Sequence, residues 1–115
     1  LMIEGSQIDW GCHANVDELV IEEIKEFDRV IGKILDFAEK DGETLVVVTA
    51  DHETGGFSLV GENQKGEPKG SFVTKYHTAT MVPVFAYGPS SEMFAGVYEN
   101  TEIHNKILEA IQIVE

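Results

Sequence analysis

From Val16 onward the apolar positions Val16, Leu19, Val20, Ile24, Phe27, Val30, Ile31, Ile34, Leu35 and Ala38 recur at steps of three and four. That spacing predicts one face of a long amphipathic helix. Asn15 suits its N-cap, Glu18 three residues on completes a capping-box pattern, and Gly42 is a natural stop. The continuous β-branched run Thr44-Leu45-Val46-Val47-Val48-Thr49 predicts a strand buried on both faces, as in a parallel sheet. Leu1 to Ile3 read as the end of an earlier buried strand, broken by Glu4-Gly5-Ser6. Strand, helix and strand in this order make a βαβ unit with a right-handed crossover.

Further on the pattern is shorter in range. Phe57 to Val60 and Ser71 to Thr74 are β-like segments flanking a polar, Gly-rich surface loop from Gly61 to Gly70, which together predict a hairpin. Val82 to Tyr87 form another apolar strand, closed by Gly88-Pro89, and Ile103, Ile107, Leu108, Ile111 and Val114 mark a terminal amphipathic helix. The expected fold class is α/β: a mostly parallel sheet with flanking helices, in a single partial domain over residues 1–115. Ligands in such sheets bind at the carboxyl ends of strands.

Length and charge narrow the possible functions. The chain has 115 residues, 8 Lys+Arg against 21 Asp+Glu, and a net charge of −13. An acidic chain of this kind cannot neutralise a run of phosphates, so nucleic acid is excluded as a partner. No apolar run approaches the roughly 20 residues of a membrane span. One cysteine, Cys12, rules out an internal disulfide framework and leaves the redox compartment open. Opening on the apolar triplet Leu1-Met2-Ile3, inside an expected strand, the chain reads as a fragment.

The ligand-type residues fall near the expected strand ends. Glu4, Asp9 and His13 follow the first strand, Asp51-His52 follow the second, and His77 precedes the strand at Val82 to Tyr87. Imidazole with carboxylate suits Zn²⁺, and carboxylate with water suits Mg²⁺. A parallel sheet could gather these groups into a multi-metal site, which points to hydrolysis or phosphoryl transfer. Taken singly, each has a structural reading. Asp51-His52 could be a turn or helix cap, Asp9 and His13 could cap the helix starting near Asn15, and His77 could be a surface loop histidine. His104 reads as a structural or exposed helix position and Cys12 as a small buried filler. The acidic face Asp17, Glu18, Glu22, Glu23 and Glu26 reads as solvated surface.

Three strings carry a resemblance. Ile3-Glu4-Gly5-Ser6-Gln7-Ile8-Asp9 with His13, then Val47-Val48-Thr49-Ala50-Asp51-His52, then His77-Thr78-Ala79 with Val82-Pro83-Val84-Phe85-Ala86-Tyr87-Gly88-Pro89 resemble, in order, the metal segments of the alkaline phosphatase family. The resemblance covers nearly the whole chain. It implies the C-terminal part of an alkaline-phosphatase-like sandwich and the hydrolysis of phosphate monoesters. Its cofactors would be two zinc ions and one magnesium ion. Position by position, it implies Asp9, His13 and His77 on the first zinc, Asp51 and His52 on the second, and Glu4 at the magnesium. Trp10 matches a variable position near the phosphate pocket, adjacent to substrate.

The family's nucleophilic serine, a shared Asp, a Thr ligand and a phosphate-binding Arg would lie upstream. This chain has one arginine, Arg29, in mid-helix, and no serine in the nucleophile context. The resemblance therefore implies a missing N-terminal half, a chain inactive alone, and a homodimeric parent of compact bacterial type in the periplasm or outside the cell. Two competing readings remain: another phosphohydrolase or mutase of the same superfamily, or a non-catalytic zinc-binding module.

Overall fold

The computed structural model describes residues 1–111; the expected helical position Val114 lies outside them. Two compact units are present, one formed by Leu1–Ile31 and His52–Met81, the other by Gly32–Asp51 with the described residues from Val82 onward.

In the first unit, Leu1 to Ile3 are exposed and form no strand. Helix α1 (Ser6–Ala14) follows instead. Asn15 adopts the left-handed conformation at its end (φ 57°), donating its amide to the Cys12 carbonyl, while the Val16 amide reaches the Gly11 carbonyl. This is the paired hydrogen-bond closure of a helix C-terminus. Asn15 therefore ends α1 rather than capping the next helix, because a short amide side chain suits both places. Helix α2 (Asp17–Asp41) begins two residues later. Val20 on its inner face is fully buried, and Gly11 lets α1 come so close that an added Cβ would lie 2.9 Å from the Val20 side chain.

The same unit holds two antiparallel ribbons. β2 (Glu53–Thr54) pairs with β5 (His77–Thr78), Glu53 opposite Thr78 and Thr54 opposite His77. β3 (Ser58–Glu62) pairs with β4 (Pro68–Ser71), with a bulge between Leu59 and Gly61. The expected hairpin is present, shifted so that its strands take up both ends of the expected loop. Asn63 closes the tip, its Oδ1 accepting the amides of Lys65 (2.9 Å) and Glu67 (3.0 Å). Asp17 is not merely solvated: its carboxylate accepts the Gly70 amide at 3.1 Å.

In the second unit, β1 (Val46–Val48) pairs with β6 (Phe85–Tyr87) antiparallel, Val47 opposite Ala86. The mostly parallel sheet is thus not realised. Among the described residues the strands form short antiparallel pairs. A β-branched run signals burial in a strand but carries no information on direction, and without a strand at Leu1 to Ile3 the βαβ crossover has nothing to cross to. Gly88 (φ 100°) turns the chain after β6, where a Cβ would strike the Thr44 carbonyl. A 3₁₀ turn (Ser91–Phe94) buries Phe94, and helix α3 (Glu102–Ala110) is tied to it by Lys106, which donates to the Met93 carbonyl at 2.8 Å. His104 is an exposed position of α3, as expected.

Gly70 is buried beneath the Phe57 ring, and a Cβ there would collide with that ring and approach the Asp17 Cβ at 2.9 Å. Gly70→Ala is expected to cost about 1–3 kcal/mol through overpacking, read as a lowered urea midpoint at unchanged slope.

Candidate metal centre

Four ligand-type side chains converge in the first unit, brought by α1, by the start of β2 and by β5. Asp9 and His13, one turn apart on α1, share a face because residues four apart on a helix are neighbours. The His13 Nε2 lies 3.5 Å from Asp9 Oδ2 and 3.1 Å from His77 Nε2, while His77 Nε2 lies 3.9 Å from Asp9 Oδ1. The His52 and His77 rings stack with centroids 3.5 Å apart. Asp9, His52 and His77 each offer a ligand atom within 4.8 Å of the others. Glu4, exposed two residues before α1, Asp51, exposed just before His52, and His13, which touches the group through His77 and Asp9, are not members of it. Trp10 is 60% exposed beside Asp9.

Hydrogen bonds behind these groups decide which atoms face inward. A carbonyl only accepts, so His13 Nδ1–H donates to the Lys75 carbonyl at 2.6 Å and leaves Nε2 as the lone-pair atom. The buried Thr54 hydroxyl donates to Asp9 Oδ1 at 2.6 Å. Its single hydrogen spent, the Thr54 oxygen accepts from His52 Nδ1 at 3.2 Å, and His52 too presents Nε2. His13 and His52 so oriented, with His77 and Asp9 beside them, form a donor set suited to a borderline divalent cation such as Zn²⁺, and partners that fix ligand tautomers are the usual support of such a centre.

The loop before His77 is held by Gly55. Its carbonyl accepts the amides of Val73 (2.8 Å) and Thr74 (3.1 Å), and its own amide donates to the Tyr76 carbonyl at 3.0 Å. Gly55 needs a positive φ of 88°, and a Cβ there would lie 2.9 Å from the Phe72 ring. Glu53 accepts the Gly56 amide (3.1 Å), the Phe57 amide (3.1 Å) and the Thr78 hydroxyl. Burial works to raise the Glu53 carboxyl, but those donors bind its ionised form, His52 lies near, and the net result holds it below the ordinary glutamate value. Glu53, Thr54, Lys75 and Thr78 escaped the sequence reading, since their roles are hydrogen bonds across the fold that no spacing announces. Cys12 is the buried filler expected; burial first, then the Glu53 and Asp9 carboxylates, push its thiol up to about 11.

A cluster of imidazoles with a carboxylate has the composition of a divalent-cation site, and the comparisons with known proteins give the particular family. The family profile described as alkaline phosphatase matches residues 1–71 and 67–113. The chain belongs to the alkaline phosphatase family, which is one of phosphoester hydrolases. Alkaline phosphatase 3 of Bacillus subtilis (strain 168) is 31% identical over 183 residues, an alignment covering 97% of this chain and 40% of the relative. The alkaline phosphatase from the Antarctic bacterium TAB5 superposes with a TM-score of 0.89 at 53% identity, over 97% of this chain and 35% of that one. A variant of that enzyme has been solved with Mg bound in its M3 site. The cold-active alkaline phosphatase of the psychrophile Shewanella sp., at 24% identity and a TM-score of 0.81, shares the fold over 92% of this chain and 44% of that one. The chain thus spans less than half the length of these relatives.

Two outcomes are expected of the groups around the site. Cys12 should be inert to a disulfide reagent at about pH 8 until denaturant is added, and rapid native labelling would contradict its burial. Because the folded Glu53 value is lowered, its stabilisation is complete above the ordinary glutamate value of 4.5 and lost as pH falls through the folded value. Thermal midpoints taken between about pH 6 and pH 3 should therefore fall less steeply for Glu53→Gln than for the parent.

Proposed function

We propose that this chain supplies most of the metal ligands of a phosphate monoesterase. In this reading Asp9, His13 and His77 hold one zinc ion, Asp51 and His52 a second, and Glu4 contributes to a magnesium site. The observation that carries it is a convergence of side chains: the His13 Nε2, His77 Nε2 and Asp9 carboxylate lie 3.1 to 3.9 Å apart, and Asp9, His52 and His77 each offer a ligand atom within 4.8 Å of the others. When bound, such cations supply Lewis-acid stabilisation to an attacking and a leaving oxygen. The chain's own residues orient that chemistry. Lys75 and Thr54 fix two imidazole tautomers, Asp9 offers a second oxygen once Thr54 occupies the first, and Trp10 stands at the rim, next to substrate.

The nucleophilic serine and the phosphate-binding arginine belong to a preceding part of the protein. Arg29 does not serve, since it pairs with Glu26 on the exposed face of α2. A homodimeric parent, a compact bacterial type and a periplasmic or extracellular location belong to the same reading, as what the resemblance implies.

Elemental analysis after dialysis against trace zinc should find about one tightly held ion per chain, lost in Asp9→Ala. The same preparation should give no steady turnover of an aryl phosphate. Zinc retained unchanged by Asp9→Ala would overturn the ligand assignment, and turnover abolished by Asp51→Ala would overturn the need for a preceding part.

A further inference from the structure

We infer that Glu53 and Thr78 form a clamp that sets the register of the two ligand-bearing strands, and that Glu53 is the positioning residue of the metal centre. This rests on the metal-ligand reading above. Side chains alternate between the two sides of a strand, and residues directly opposite in an antiparallel pair share a side. Glu53 and Thr78 are opposite, as are Thr54 and His77. His52, one residue before Glu53, falls on the side of Thr54 and His77. One side of the ribbon therefore carries His52, Thr54 and His77, and the other carries Glu53 and Thr78.

The ribbon has only two rungs. A slip of one residue in a ribbon moves every side chain of a strand to the opposite side, which would take His77 away from Asp9 and His52. Backbone pairing over two residues is a weak guard against that slip, and the Glu53 carboxylate supplies the missing constraint. It is tied to its own turn by the Gly56 and Phe57 amides, so it is a fixed point on β2. From there it accepts the Thr78 hydroxyl on β5. The Thr80 amide and hydroxyl, 3.4 and 3.2 Å from the same Thr78 oxygen, hold that oxygen from the far side. A slip of one residue either way would set His77 or Ala79, neither with a hydroxyl, opposite that carboxylate, whereas in the observed register Thr78 meets it and His77 stacks on His52.

The test is a Co²⁺ titration of the 115-residue chain, followed by the visible absorption of the bound ion and by far-ultraviolet circular dichroism. Thr78→Val keeps the β-branched shape and removes the donor. It should weaken Co²⁺ binding about 10- to 100-fold, the usual cost of losing a ligand's supporting partner, and alter the band shape while the dichroism is unchanged. Thr78→Ser, which keeps the hydroxyl, should bind within about threefold of the parent, and Glu53→Gln with Thr78→Val should be no worse than the weaker single variant. If Thr78→Val loses its dichroism signal, Glu53→Gln alone decides by the same loss of affinity. Parent-like binding by Thr78→Val, or a loss that Thr78→Ser does not restore, would overturn the clamp while leaving the ligand assignment intact. A parent chain that binds no Co²⁺ would overturn both.

Discussion

A hydroxyl group has one hydrogen to give, and at Thr54 that fact organises the first unit. The hydrogen goes to Asp9 on α1, and the oxygen takes a hydrogen from His52. A single buried side chain thereby joins a helix to a strand and assigns a proton on an imidazole. Removing it would take one hydrogen bond each from a carboxylate oxygen and a ring nitrogen, at about 1 kcal/mol apiece. The other supports have the same character. Lys75 offers a carbonyl to His13, and Gly55 offers its carbonyl and amide to the loop that carries Lys75. Asp9, His13 and His52 are each held by a hydrogen-bond partner whose own position is fixed.

Such an arrangement explains why small, polar and unassuming residues crowd the segment from Glu53 to Phe57. Two consecutive glycines with positive φ permit a turn tight enough for Glu53 to receive the amides of its own successors. Any side chain at Gly55 would press on Phe72 and push the following loop outward. Backbone freedom, a buried hydroxyl and a carboxylate act here as one structural unit, and the histidines depend on it.

The imidazoles and carboxylate that the fold brings together, Asp9, His13, His52 and His77, were legible in the sequence because their chemistry is local to the side chain: such a group in a motif is recognisable wherever it falls. So were α2, from its three-and-four spacing, and the β3–β4 hairpin, from its turn residues. Strand direction was not legible, since Val46, Val47 and Val48 fit a parallel or an antiparallel neighbour equally well. Helix α1 was hidden because its apolar face is little more than Ile8 and Cys12 beside Gly11, and Asn15 suits the end of one helix as well as the start of another. Thr54, Glu53 and Thr78 stayed silent because a hydroxyl partner 45 residues from Asp9, or 25 residues from Glu53, is a product of the fold.

The hairpin has a consequence for how this framework can grow. Ser58 and Ser71 face each other at its base, and Asn63 seals its tip with bonds made entirely within residues 63–67. Nothing in that seal is borrowed from the β2–β5 ribbon. Additional chain spliced into the tip would leave the two stems meeting as before, and each doubling of the loop would cost only about 0.6 kcal/mol in closure entropy. The hairpin is in effect an expansion joint, a place where sequence can lengthen and acquire new surfaces while the histidines on the neighbouring ribbon stay in register.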